Sequence, residues 1–254
     1  MVKLAFLGLG VMGFPMAGHL SQAGFDITVY NRTLKKAECW LQSYCGHSAL
    51  TPNEAVRSAD IVFACVGDDS NLRDITLGGQ GAYSGMKPGA FFVDHSTVSA
   101  EVSRELAGIA ETLGLGYLDA PVSGGQQGAE KGELTVMVGG EANDFSVVKP
   151  VIEHYAREVM LMGPVGNGQL CKMVNQICVA GLLEGLAEGL NFAEAAELDV
   201  DQVVQVISKG AAQSWQMENR YKTMTAGEYN NGFAVDLMRK DLSIAMKEAS
   251  LNGA

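Results

Sequence analysis

The residue types with the clearest chemical potential lie far apart along the chain. Near the N-terminus, Gly8-Leu9-Gly10-Val11-Met12-Gly13 reads as a glycine-rich turn between a strand and a helix. Glycines at this spacing permit a tight turn, close approach of a pyrophosphate to the backbone, and close packing of helix on strand. The helix that follows would offer unpaired N–H groups and the positive end of its dipole to phosphate. In isolation the spacing is weak, since an ordinary glycine-rich turn looks the same. At the end of the second expected strand, NAD-binding proteins place a carboxylate on the ribose hydroxyls. Here that place is held by Asn31-Arg32-Thr33. An arginine can pair with a 2′-phosphate, and Asn31 and Thr33 can hydrogen-bond it, so these residues point to NADP in preference to NAD. The competing reading is that Arg32 only solvates a helix start.

Two further segments carry chemical potential. Asp119-Ala120-Pro121-Val122-Ser123-Gly124-Gly125 leaves a strand into a hydroxyl and several free backbone N–H groups, a combination suited to a carboxylate; it also fits a plain loop. Gly166-Asn167-Gly168-Gln169-Leu170-Cys171-Lys172-Met173-Val174-Asn175-Gln176 opens a helical pattern. Lys172 and Asn175 stand at i and i+3 and share a face, among the apolar Leu170, Met173, Val174 and Ile177. A lysine on so apolar a turn either snorkels to water or sits in a dry cleft where its proton affinity can be tuned.

The elements that must position these residues follow from periodicity. Strands are expected over 3–7, 26–30, 61–66, 90–94, 116–118, 135–138 and 159–161, with helices over 12–23, 34–42, 100–113 and 144–154. Strands alternating with helices imply βαβ units and a doubly wound, largely parallel sheet of Rossmann type. After Gly163-Pro164 the strand signal stops. A helix of about 45 Å is expected from Gly168 to about Glu197, then helices over 200–208 and 236–251, with a polar stretch over 225–232. The expected organisation is an α/β dinucleotide-binding domain over 1–163 and an all-α domain for substrate binding and dimerisation over 164–254.

Composition narrows the partners. The formal net charge is −11, which argues against nucleic acid or an anionic membrane surface, although a local cation can still dominate a cleft. The five cysteines form no CxxC pair and their count is odd, so neither a disulfide framework nor a zinc site is expected and a reducing, cytoplasmic setting fits. Cys65 reads as core, and Cys171 has no flanking base. The apolar run over 2–9 is short and meets glycines, unlike a signal peptide. No uncharged apolar stretch reaches the roughly 18 residues of a membrane span. None of the four histidines has a metal-ligand neighbour, and no metal is expected: His19 and His154 are placed on helices, His47 in a polar loop and His95 at a strand end.

Taken together, the glycine motif with the preceding Phe6-Leu7, the segments 119–125 and 166–175, and Lys240-Asp241-Leu242 resemble the β-hydroxyacid dehydrogenases in order and spacing, over nearly the whole chain. That family includes 3-hydroxyisobutyrate dehydrogenases and the tartronate semialdehyde and glyoxylate/succinic semialdehyde reductases. The resemblance implies that Lys172 is the general acid/base, that Asn175 orients the substrate or Lys172, and that Ser123, Gly124 and Gly125 hold a small substrate's carboxylate. It further implies cofactor contacts at Val66, Gly67, Asn71 and Thr97, and from Lys240 in the helical domain. Many members carry Leu-Pro where this chain has Val66-Gly67, a change that backbone contact would survive. His95 reads as a substitution within the family's Ser-Thr motif. Homodimers or homotetramers built through the long helix are implied too. Members usually run on for several helical turns beyond the Lys-Asp-Leu motif, whereas this sequence stops at Ala254, as a naturally short chain or a truncated one.

The expected function is an NADP-preferring oxidoreductase, with NAD possible, acting on a small β-hydroxy acid or its semialdehyde. Which acid stays open: the segments near 119–140 look closer to the 3-hydroxyisobutyrate and tartronate semialdehyde branches, and Asn31-Arg32-Thr33 closer to NADP-using semialdehyde reductases. The alternative is a silent dinucleotide-binding redox sensor or scaffold, against which Lys172 and Asn175 count. A lysine at that place also counts against an imine reductase.

Overall fold

Strand β1 (Lys3–Leu7) shows how the first half is built. Its side chains alternate: Leu4 and Phe6 enter one hydrophobic core, Ala5 and Leu7 another. Period-two alternation with both sets apolar is what a sheet covered on both faces requires. β4 (Ile61–Ala64) repeats it, with Ile61 and Phe63 on the first side and Val62 and Ala64 on the second. The remaining strands are β2 (Asp26–Tyr30), β3 (His47–Ser48), β5 (Phe91–Asp94), β6 (Gly116–Asp119), β7 (Val122–Ser123), β8 (Leu134–Gly139) and β9 (Ala156–Gly163). The structure is a computed structural model that describes residues 2–229 and 234–254.

The sheet runs β3-β2-β1-β4-β5-β6-β8-β7, with β9 paired to β8. From β3 to β6 every pairing is parallel; β8 meets β6 and β7 antiparallel. Helices α1 (Gly13–Gln22), α2 (Leu34–Ser43), α6 (Gly125–Lys131) and α7 (Ala142–Ile152) contribute to the first core, and α3 (Pro52–Val56), α4 (Asp69–Leu77) and α5 (Ala100–Thr112) to the second. This is the doubly wound order 3-2-1-4-5-6, in which the strand order reverses between β1 and β4 and leaves a crevice at their C-terminal ends.

The second unit is helical. Its own core joins Leu186 and Leu190 of α8 (Asn167–Ala195) to Val204 of α9 (Val200–Ile207) and Met217 of α10 (Trp215–Thr225). Asp199 and Ser214 cap α9 and α10 by accepting the Gln202 and Met217 N–H groups. α11 (Val235–Asn252) ends where Gly253 turns left-handed. By length and composition α8 is apolar enough to cross a membrane; it carries Glu184 and Glu188, and its Leu186 and Leu190 join the core of the second unit.

Most expected elements are present with shifted ends, and the differences have local causes. α3, α4 and α6 are short, and β3 and β7 have two residues each, too few to establish a period. α10 is polar and depends on its Ser214 cap, so no apolar pattern announces it. Within the expected polar stretch, 230–232 lie outside the described residues. His154 falls just past α7 and His47 in β3, rather than in a helix and a loop. The compact units are Met1–Met173 and Val174–Ala254, which divide inside α8. The first turn of α8 is bonded to the end of β6 and belongs structurally to the sheet.

Candidate active site

The crevice at the C-terminal ends of β1 and β4 is bordered by the glycine motif. Gly8 has φ +103° and donates its N–H to Tyr30 O at 2.8 Å; a Cβ there would overlap the carbonyl oxygen of Cys65. At Gly13 a Cβ would overlap Gly8 O and press on Phe6, so the close seating of α1 on β1 requires glycine. Gly10 is different. A Cβ there would meet no protein atom within 4 Å, so the fold itself does not require this glycine. α1 has no side-chain cap and no acidic residue in its first turn. Open space over an uncapped helix start is what a dinucleotide pyrophosphate needs, and the residues fit that group. Val11 is exposed, Met12 half-buried and Leu9 buried.

Asn31 ties the two turns together: Leu9 N–H donates to its Oδ1 at 2.9 Å, and its Nδ2 donates to Thr33 O at 3.0 Å. Its carboxamide is therefore committed to shaping the loop. Arg32 is exposed and reaches Asn71 Oδ1 through Nη1 at 3.4 Å, a long bond. Lys35 and Lys36 follow in the first turn of α2, which has no acidic residue and no bond from Thr33 capping it. Asp68 caps α4 by accepting from Asn71, and those bonds hold its carboxyl at about 2.

Beyond β4, Val66 is half-buried and Gly67 exposed; Val66 N–H donates to Ser96 Oγ at 2.9 Å, which joins the loop after β4 to the loop after β5. Thr97 lies half-buried in that second loop. His95 lies deeper than its place at a strand end suggests. It is 1% exposed, stacked on Phe63, and bridges Ala120 O at 2.6 Å and the Tyr155 hydroxyl at 2.8 Å. Burial lowers its pKa to about 4, so the neutral ring donates from Nδ1 to Ala120 O and accepts from Tyr155 at Nε2. It is a core brace.

Asp119 ends β6 fully buried. Its Oδ1 accepts Gly166 N–H at 2.7 Å and its Oδ2 accepts Gln169 N–H at 2.9 Å. Hydrogen bonds to a charged group contribute about 1.5–3 kcal/mol each, which offsets the cost of burying the carboxylate. The Gln169 side chain, also buried, donates to Ser96 O at 2.8 Å and accepts Val98 N–H at 3.2 Å. Lys172 follows one turn later and is 7% exposed. Burial raises the pKa of neighbouring Cys171, so that thiol stays protonated. Down the chain from Asp119, Ser123 is half-buried in β7, Gly124 precedes α6 at φ +131°, and Gly125 begins it. Sheet end, Ser-Gly-Gly loop and lysine turn are thus gathered within the first unit.

In the second unit, Asn175 donates to Gln176 Oε1 at 2.8 Å, and Gln176 donates to buried Asp241 at 2.6 Å. Lys240 pairs with Asp241 at 3.0 Å, its side chain 23% exposed. Sequence reasoning did not single out Asp119, Gln169, Gln176 or Asp241 as functional residues. All four lie inside the motifs it quoted, yet their pairing spans tens of residues and leaves no local signal. Among the described residues no group of three or more His, Cys, Asp or Glu side chains could hold a metal ion.

Comparison with known proteins agrees with this arrangement. The family describing the NAD-binding domain of 6-phosphogluconate dehydrogenase matches residues 3–163, and that describing the NAD-binding region of NADP-dependent 3-hydroxyisobutyrate dehydrogenase matches residues 166–254. An uncharacterized oxidoreductase of Shewanella frigidimarina is 61% identical over all of this chain and 87% of its own length. The 2-hydroxy-3-oxopropionate reductase of Escherichia coli is 37% identical over 98% of this chain and 84% of its own. The solved 3-hydroxyisobutyrate dehydrogenase of Mycobacterium tuberculosis with L-serine superposes with a TM-score of 0.88 at 30% identity, covering 100% of this chain and 88% of that one. With the doubly wound dinucleotide fold, the glycine cradle and the lysine helix in place, the chain belongs to the 3-hydroxyisobutyrate dehydrogenase family of NAD(P)-dependent oxidoreductases that act on hydroxyl donors.

Proposed function

We propose that the protein is an NADP(H)-preferring oxidoreductase for a small β-hydroxy acid or its semialdehyde, with Lys172 as general acid/base. The observation that carries this reading is the burial of Lys172 on a turn bonded to the sheet end that leads into Ser123-Gly124-Gly125. A lysine held in a buried setting can have its proton affinity tuned for acid/base work. A nicotinamide dinucleotide, when bound, would supply the hydride in reduction and accept it in oxidation. In reduction the Lys172 ammonium donates a proton to the oxygen developing on the substrate carbonyl, and its charge stabilises that oxygen. In oxidation the same amine takes the hydroxyl proton. Asn175 orients the reacting group, and Ser123, Gly124 and Gly125 receive the carboxylate. A silent sensor would have no use for such a lysine.

Gly8 to Gly13 hold the pyrophosphate, Val66, Gly67, Asn71 and Thr97 make further cofactor contacts, and Lys240 reaches the cofactor from the helical domain. The preference for NADP rests on Arg32 with Lys35 and Lys36, exposed around an uncapped helix start without a carboxylate. Asn31 shapes this loop. The substrate class is supported by the reductase name of the Escherichia coli relative and by L-serine, a small β-hydroxy acid, in the Mycobacterium tuberculosis structure. Residues 1–163 serve the dinucleotide and 164–254 the substrate and self-association, the latter supported by exposed Val174, Ile177 and Phe192 on α8. Light scattering should give a dimer or tetramer, and a monomer would contradict that part.

The test is consumption of NADPH and NADH with glyoxylate, succinic, methylmalonic and tartronate semialdehydes. Turnover with at least one, and tighter binding of NADPH than NADH, is expected. Tight NADPH binding with no turnover on any would favour the sensor; tighter NADH binding would refute the cofactor preference.

A further inference from the structure

The turn that carries Lys172 is fixed by two buried side chains, one from a distant strand end and one on the turn itself that reaches a distant loop. Asp119 takes the Gly166 and Gln169 N–H groups on its two oxygens, at 2.7 and 2.9 Å. Gln169 in turn grips the backbone of Ser96 and Val98, at 2.8 and 3.2 Å. The contact is tight: a Cβ at Gly168 would press on Asp119 O and Oδ2, and one at Gly139 would overlap Asp119 Oδ1. The carboxylate is thus walled in by two glycines and a helix start, with 0% exposure, so it acts on the reaction only through what it holds. Asp119 pairs across the sheet with Asp94 on β5 and Gly139 on β8, so its backbone is held from both sides.

We propose that Asp119 is a positioning residue for proton transfer, which together with Gln169 fixes where Lys172 stands relative to the Ser123-Gly124-Gly125 loop and the Ser96–Val98 backbone. One strand end sets both distances, since Asp119 opens the loop through its main chain and seats the lysine turn through its side chain. This rests on the reading of Lys172 as the acid/base. Burial pushes the Asp119 carboxyl above its ordinary range while the bonds from Gly166 and Gln169 pull it back, as expected of an anion kept for its acceptor capacity. A misplacement of about 1 Å at such a site costs on the order of 10²-fold in rate.

The experiment compares full-length wild type, Asp119→Asn, Gln169→Met and Lys172→Ala, with NADPH and the semialdehyde that wild type turns over fastest. Asp119→Asn keeps the shape but turns one acceptor into a donor facing an N–H. Its kcat should fall about 10²-fold and its solvent deuterium isotope effect on kcat should rise, because proton transfer becomes limiting. NADPH affinity should stay within about twofold, since the glycine cradle lies on another strand. Wild-type kcat would overturn the proposal. So would a kcat that falls only in proportion to the fraction of protein able to bind NADPH, with an unchanged isotope effect. If Asp119→Asn does not fold, Gln169→Met decides: about tenfold lower kcat with the raised isotope effect supports the proposal, and wild-type behaviour overturns it. Wild-type turnover by Lys172→Ala would sink the acid/base reading itself, whereas an inactive Lys172→Ala beside a fully active Asp119→Asn would sink the positioning claim alone.

Discussion

The two strand-to-helix junctions of the first unit are held by different means. At the β1–α1 junction glycine sterics lead, helped by one backbone bond and by the half-exposed Asn31 carboxamide on Leu9 N–H: Gly8 and Gly13 are required by close approach, and no side chain caps the helix. At the junction of β6 with the start of α8, a buried carboxylate and a buried carboxamide lead, through bonds between residues as much as 73 positions apart. The first leaves an open cradle for a large, flexible anion. The second leaves no slack, as befits the seat of a proton donor that must meet one oxygen. Backbone recognition suits binding; buried polar bonds suit positioning.

That contrast can be sharpened by substitution. Gly10→Ala should keep the fold, since its methyl meets no protein atom, yet weaken NADPH about 10²-fold by intruding on the pyrophosphate. Gly13→Ala, by contrast, should lower stability by about 1–3 kcal/mol even without cofactor. Thermal melts and NADPH titration on the two variants separate fold from function; equal melting losses would break the distinction. A smaller effect is expected from Arg32→Ala, which should weaken NADPH about tenfold while leaving NADH nearly unchanged. Parallel titrations check it, and equal losses for both cofactors would remove Arg32 from the 2′-phosphate.

The smallest effect concerns the brace beside the second junction. His95 has a folded pKa of about 4, below its ordinary value of 6.5, so its contribution to stability is complete above about 6.5 and is lost as pH falls through about 4. The melting temperature should decline by a few degrees across that window, and His95→Gln should flatten the decline. An equally steep slope in the variant would show that His95 does not carry the acid sensitivity.

The same contrast explains what could be read in advance. The glycine motif, the parallel strands and the long helix are local patterns, so periodicity and spacing revealed them. Lys172 stood out because an apolar turn makes a lysine conspicuous. Asp119 and Gln169 are ordinary residues in a sequence with 29 acidic side chains, and only the fold brings them to α8 and the loop after β5. Burial of His95 was hidden for the same reason, since Tyr155 and Phe63 come from distant strands and turns. α10 escaped notice because a single serine cap, not an apolar stripe, defines its start.

The most direct measurement is turnover by Lys172→Ala with its NADPH dissociation constant determined on the same preparation. A loss of roughly 10²–10⁴-fold in kcat with NADPH binding retained is predicted, because the cradle and the proton donor are separately built. Turnover near that of wild type would contradict the account.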